Sequence, residues 1–197
     1  MDMEIDLKEC LSIILKKIWL VILLPAAAAL ISAYVSFFVL TPVYEANTTL
    51  YVINQSMDGN EKLAYNDLLV GQYLVKDYRG LVTSRTVTGQ VIKELGIEGL
   101  QPEQLAARIS VNSRDDTRLI EIRVQDKNPV MARDITDKLG EVFMESAIDL
   151  MKVDTVSIVD RARVPDAPVK PNPFLNIAAA FFIGLMAAVG IIFLIEF

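Results

Sequence analysis

Few residues in this 197-residue chain are of a type that does chemistry, and their settings narrow what that chemistry could be. Asp115 and Asp116 are the paired carboxylates that general acid–base work would want. They fall between ISVN and TRLIEIRVQD, at the tip of an expected hairpin, with Arg114 and Arg118 beside them. Adjacent acids flanked by arginines read as a solvated turn rather than a catalytic dyad. The chain has no histidine, which removes the usual proton carrier near neutral pH and most nucleophile triads. Its single cysteine, Cys10, excludes a disulfide framework and argues against a structural zinc site. Cys10 reads as a free thiol on an amphipathic helix, with palmitoylation as the sharper alternative. No GxxxxGK(S/T), GxGxxG or GxSxG motif is present. Tyr51, Tyr65, Tyr73 and Tyr78 invite comparison with a sugar-stacking platform. Tyr73, however, falls in an apolar stripe, so packing in a core or an interface is the preferred reading. No catalytic, cofactor-binding or metal-binding residue is therefore assigned, and enzymatic activity is not expected.

The elements that must position everything else are two apolar runs. IWLVILLPAAAALISAYVSFFVL occupies 18–40 and FLNIAAAFFIGLMAAVGIIFLI occupies 174–195. About twenty residues without charge suffice for an α-helix to cross a bilayer core. The first run is too long, and too aromatic through Tyr34, Phe37 and Phe38, for a cleaved signal peptide. Pro25 is tolerable in a span where a neighbouring helix or local kink re-satisfies the freed carbonyl. Lys8, Lys16 and Lys17 precede the first span and no Lys or Arg follows it closely, which puts the amino terminus in the cytoplasm and the 41–173 loop outside. Residues 1–17 read as a cytoplasmic amphipathic segment, Asp6 capping a helix with Leu7, Leu11, Ile14 and Ile18 on one side and Trp19 at the interface. The alternative is that they are the polar start of one long helix. In the second span Gly184 and Gly190, with Ala178, Ala179, Ala180, Ala187 and Ala188, form an expected face for close helix packing.

The loop is of the size of one compact domain, and its mixed charges give no basic face, so nucleic acid is not an expected partner. VYEANTTLYVI predicts a strand by its period of two, Tyr44, Ala46, Thr48, Leu50 and Val52 alternating with Glu45, Asn47, Thr49 and Tyr51. NQSMDGN reads as a turn or loop. Glu61 to Tyr78 carries helical spacing. A second helix runs from an N-cap at Ser84, through Val87, Val91, Ile92 and Leu95, to Gly96. A short helix follows Pro102, and ISVN with TRLIEIRVQD predicts a hairpin with Ile120, Ile122 and Val124 inward. Asn128-Pro129 starts a long helix, expected to reach Met151, whose stripe is Ile135, Leu139, Val142, Phe143, Ser146 and Leu150. TVSIVDRARV predicts a last strand, expected to pair with the first in the sheet. Pro165, Pro168, Pro171 and Pro173 then keep the approach to the second span extended. The fold class is an α+β extracytoplasmic domain, 41–173, between two transmembrane α-helices.

Three stretches carry a resemblance. IDLKECLSIILKKIW, VYEANTTLYV and ARVPDAPVKPNPF stand, in this order around a loop of this size, as in the chain-length determinant (Wzz) family of polysaccharide co-polymerases. The chain resembles the short Gram-positive type that works beside a separate cytoplasmic tyrosine kinase. The resemblance implies a homo-oligomeric ring in the plasma membrane that influences the length and export of capsular or exopolysaccharide. Its implied partners are a polysaccharide polymerase with its lipid-linked glycan, membrane lipid, and the kinase that it activates from inside. By resemblance Pro165, Pro168, Pro171 and Pro173 are the proline motif at the domain base. Members of this type continue into a cytoplasmic tail, so 196–197 reads as the start of a tail cut short. A two-span sensor is the competing reading, and would want a ligand pocket in the loop. A channel would want polar residues along a span, where only Ser32, Ser36 and Asn176 qualify.

Overall fold

Between Ile18 and Leu40 no side chain is charged, and a backbone in such surroundings satisfies its polar groups by coiling on itself. In the computed structural model, which describes residues 16–53, 76–114, 119–151 and 155–196, this run forms helix α1 (Ile18–Tyr34) followed by a π-helical turn at Val35–Val39. Leu40 is already extended, at φ −76° and ψ 129°. The second apolar run forms helix α5 (Pro173–Glu196). It begins at Pro173, one residue earlier than the sequence suggested, because a proline's fixed φ and missing N–H suit the first helical position. Asn172 caps it, its Oδ1 accepting from Leu175 N–H at 3.3 Å. With its π turn the first run is helical over Ile18–Val39, 22 residues, and the second span covers Pro173–Ile195, 23 residues, each long enough to cross a bilayer core.

The chain divides into two units, with breaks after Pro42 and after Val169. One contains α1 and α5. The other, 43–169, is an αβ unit whose described elements are β1 (Tyr44–Ile53), a helical segment at 76–82, α2 (Arg85–Leu95), α3 (Pro102–Ala106), β2 (Ile109–Ser113), β3 (Leu119–Asp126), α4 (Pro129–Met151) and β4 (Thr155–Asp160). The four strands form one sheet in the order β2-β3-β1-β4, and every described pairing is antiparallel. The first and last strands therefore lie side by side.

Local signals set the element ends. Ser84 Oγ accepts from Val87 N–H at 3.3 Å, and Gly96 closes α2 in the left-handed region at φ 62°, where a Cβ would be strained. Asn128 Oδ1 accepts from Val130 N–H at 2.9 Å, satisfying one of the orphan donors of α4. Gln104 accepts from the Gln101 N–H at 3.1 Å at the start of α3.

The core is the contact of α4 and α2 with one face of the sheet. Ala46, Thr48 and Leu50 of β1 and Ile120, Ile122 and Val124 of β3 are buried opposite Ile135, Leu139, Val142 and Phe143 of α4. Periodicity located that stripe but missed Ala132, Thr136 and Ala147, small residues buried along the same helix, and Ser146 is only half-buried. Small residues are needed where helix and strand come close. A Cβ on Gly140 would stand 3.4 Å from the Thr48 methyl. Thr48 and Thr49 are both buried, beside a register shift between Thr49 and Leu50 against β4, and one expectation is corrected. β4 ends at Asp160 instead of continuing to Val164, because Arg161 and Ala162 are held by α4.

Phe143 is fully buried and meets Tyr78 edge-on, ring centroids 5.9 Å apart. Phe143→Ala should lower the unfolding free energy of the full chain in detergent by about 3–5 kcal/mol. Urea unfolding followed by tyrosine fluorescence checks this, and a change under about 1 kcal/mol would show that the site collapses around the smaller residue.

Candidate functional site

Within the helix-pair unit, α1 and α5 pack along one another. Pro25 cannot donate to the carbonyl four residues earlier, a gap that a packed neighbour can cover. It is buried, and Gly184 of α5 lies against it. A Cβ at 184 would stand 2.8 Å from Pro25 Cα, 3.0 Å from Ala28 Cβ and 3.2 Å from the Leu24 carbonyl oxygen. Only glycine fits without moving backbone. Around Gly190 the same test finds open space, while Ala188 and Ile192 are buried. Toward the other end of the pair, Asn176 Nδ2 donates to the Ser36 hydroxyl at 3.1 Å. Sequence reasoning weighed these two only as pore-lining candidates. An asparagine inside an apolar run was the available signal, since amides in spans mostly bond to neighbouring helices.

Within the αβ unit the sheet face turned from α4 carries an ion-paired ladder. Arg123 reaches Glu121 at 2.5 Å, Asn47 donates to Glu121 at 2.8 Å, and Gln125 donates to Glu45 at 2.6 Å. Partial burial pushes the Glu121 carboxyl up, but the bonds from Arg123 and Asn47 and the Arg123 charge outweigh it and hold the group below the usual range. A second network ties the segment after β4 to α4. Arg161 reaches Asp137 at 2.9 Å and Glu141 at 3.1 Å, Lys138 reaches Glu141 at 2.8 Å, and the Ala162 N–H donates to Asp137 at 3.3 Å. The bonds from Lys138 and then Arg161 hold the Glu141 carboxyl low. These carboxylates are engaged by cations, as expected of structural ion pairs rather than of acids waiting to transfer a proton. Arg79 donates to the Val111 carbonyl at 2.8 Å, capping the outer side of β2.

The residues singled out from the sequence are distributed as follows. Pro165 and Pro168 belong to the αβ unit, half-buried and exposed respectively, and Pro171 and Pro173 to the helix-pair unit, both half-buried. Tyr78 is buried and Tyr51 half-buried. Cys10, Tyr65, Tyr73, Asp115 and Asp116 lie outside the described residues, as do 1–15 of the amphipathic segment.

Two apolar helices of bilayer length framing one α+β unit define the class, a two-pass membrane protein with its folded module in the loop. A family model described as chain length determinant protein (Wzz) matches residues 3–95, and one described as "G-rich domain on putative tyrosine kinase" (GNVR) matches 122–197. The chain is similar to the "Probable capsular polysaccharide biosynthesis protein YwqC" of Bacillus subtilis (strain 168), 37% identical over 193 residues, 97% of this chain and 77% of that one. It is 30% identical to the capsular polysaccharide type 5 biosynthesis protein cap5A of Staphylococcus aureus (strain Newman), over 98% of this chain and 86% of that one. It is also 30% identical to the capsular polysaccharide biosynthesis protein CpsC of Streptococcus agalactiae, over 93% of this chain and 79% of the relative. The chain belongs to the Wzz chain length determinant family.

Two measurements test the geometry. Gly184→Leu should lower the thermal unfolding midpoint of the detergent-solubilised chain, since overpacking a close contact costs about 1–3 kcal/mol, whereas Gly190→Leu should leave it unchanged or higher. Equal effects at both positions would contradict the packing described. The ion pairs predict a pH dependence. Glu121 and Glu141 bind protons less readily folded than unfolded, so below the ordinary glutamate pKa of about 4.3 the unfolded chain protonates first and stability falls with pH. The unfolding temperature should drop more steeply between about pH 5 and about pH 3 in the native chain than in Glu121→Gln/Glu141→Gln. Parallel curves would remove these two groups from the acid response.

Proposed function

We propose that this protein is a non-catalytic polysaccharide co-polymerase. It controls the chain length and export of a capsular or exopolysaccharide made by a separate polymerase from lipid-linked glycan, and activates a partner cytoplasmic tyrosine kinase. The observation that carries this is similarity along 97% of the chain, through both apolar helices and the αβ unit, to a protein named for capsular polysaccharide biosynthesis. The match to a domain described on a tyrosine kinase supports the kinase partnership. In this reading the protein is a homo-oligomeric ring in the plasma membrane with both termini cytoplasmic and the 41–173 domain outside. Lys16 and Lys17 just before α1 support that orientation. Pro165, Pro168, Pro171 and Pro173 form the base of the domain, where fixed φ angles limit how the chain can bend. The Gly184 contact belongs to the span packing on which the ring is built.

Deleting the protein from its native strain should alter the size distribution of surface polysaccharide on a gel while leaving nucleotide-sugar levels unchanged, and should lower phosphotyrosine on the partner kinase. Complementation with the native chain should restore both, and with Pro168→Ala/Pro171→Ala should leave a broadened distribution. An unaltered distribution in the deletion strain would overturn the co-polymerase reading, and unaltered phosphotyrosine the kinase partnership.

A further inference from the structure

Near the end of α1 two irregularities coincide. In the π turn at Val35–Val39 the Leu40 N–H reaches back five residues to the Val35 carbonyl, at 3.0 Å. Ser36 lies inside that turn, 5% exposed, and is the residue to which Asn176 of α5 donates. The α-helix is the default coil for such a sequence, and single π turns are rare and cluster at functional places, so this one calls for something that holds it. The neighbouring helix supplies that. Gly184 and Asn176 are eight residues apart on α5, as are Ala28 on α1 and Ser36 in the turn that continues it, roughly 12 Å along each axis. One end of this stretch is fixed by the backbone contact of Gly184 with Pro25 and Ala28, so the helices cannot slide past one another without a clash. At the other end the rotation of Ser36 about the α1 axis is set by the amide of Asn176. Ser36 is buried and Asn176 half-buried, so little water competes for the pair, which favours the bond.

We propose that Asn176 is a positioning residue that holds the π turn, and that the turn is a two-position joint at the end of the first span. With the bond made, one extra residue is stored in the turn. With it broken, 35–39 relaxes to α-helix, and the chain from Phe37 to Leu40 turns by about 100° around the axis, the angle one residue subtends. That rotation enters the stretch leading to β1, which begins four residues after Leu40. The joint rests on the two-span reading but not on the identity of the polymer or the kinase.

The test uses the full chain carrying Cys10→Ser in phospholipid vesicles, with a spin label at Phe38→Cys or Val39→Cys beyond the joint, or at Leu30→Cys before it. Phe38 and Leu30 are both largely exposed, so a label at either is tolerated. Positions 38 and 39 point about 100° apart, so a rotation of that size turns at least one of them from lipid toward the neighbouring helix. Asn176→Leu should therefore change the oxygen-collision rate by about twofold or more at 38 or 39 and leave 30 unchanged, whereas Ser36→Thr, which keeps the hydroxyl, should match the parent. Unchanged rates at both 38 and 39 would overturn the proposal. So would a change at 30 of the same size, which would mean that the helices part as a whole. If Asn176→Leu fails to insert, Ser36→Ala is read by the same criteria. An unaltered polysaccharide size distribution in the deletion strain alongside a positive label result would overturn the co-polymerase reading and leave the joint standing.

Discussion

The αβ unit depends on how closely a helix can lie on its central strand. β1 is hydrogen-bonded on both sides, to β3 and β4, and α4 crosses it where both surfaces are small, with Ala46 and Thr48 below and Thr136 and Gly140 above. On either side of that close approach the large side chains Leu50, Ile122, Leu139 and Phe143 are fully buried. The polar atoms buried there are satisfied locally. The Thr136 hydroxyl donates to the Ala132 carbonyl at 2.6 Å, and the Thr48 hydroxyl donates to the Asp160 carbonyl at 2.8 Å, joining the last strand to the first. Each such bond contributes about 1 kcal/mol net, whereas burial of one large apolar side chain contributes about 1.5–3 kcal/mol, so packing holds the unit and hydrogen bonds specify its register.

The two units solve the same problem in different solvents. In the αβ unit, apolar surface leaves water, and exposed pairs such as Arg85 with Glu103 add little because both side chains remain hydrated. The pairs that matter are those that fix direction, chiefly Arg161 with Asp137 and Glu141, which turn the chain away from the sheet after Asp160. Along α1 and α5 lipid is as apolar as the side chains, so contact rests on fit, as at Gly184, and on polar bonding, as at Asn176.

Much of the fold was legible where a residue's neighbours along the chain decide its conformation. Ser84, Gly96 and Asn128-Pro129 marked helix ends by cap chemistry, and alternation placed Ile120, Ile122 and Val124 inward. What sequence missed is decided across the chain. Thr49 is buried beside a register shift, Arg161 is held by Asp137 twenty-four positions earlier, and Ser36 is met by a residue 140 positions away. Asn176 on its own suggests a pore-lining residue, because a polar group in a span reads so until its partner is known. The family resemblance came from three short stretches in a fixed order, which carry architecture well and side-chain pairings poorly.

Where the chain enters and leaves the αβ unit, the Val169 N–H donates to the Val43 carbonyl at 2.8 Å, beside the start of β1 and beyond the end of the antiparallel β4. Drawn apart at those two points, the sheet is loaded as a zipper rather than in shear. Its bonds then yield in succession, beginning with the one between Val169 and Val43, instead of all resisting together. Such a module yields to a smaller lateral pull than one loaded along its strands, as a seam opens from one end.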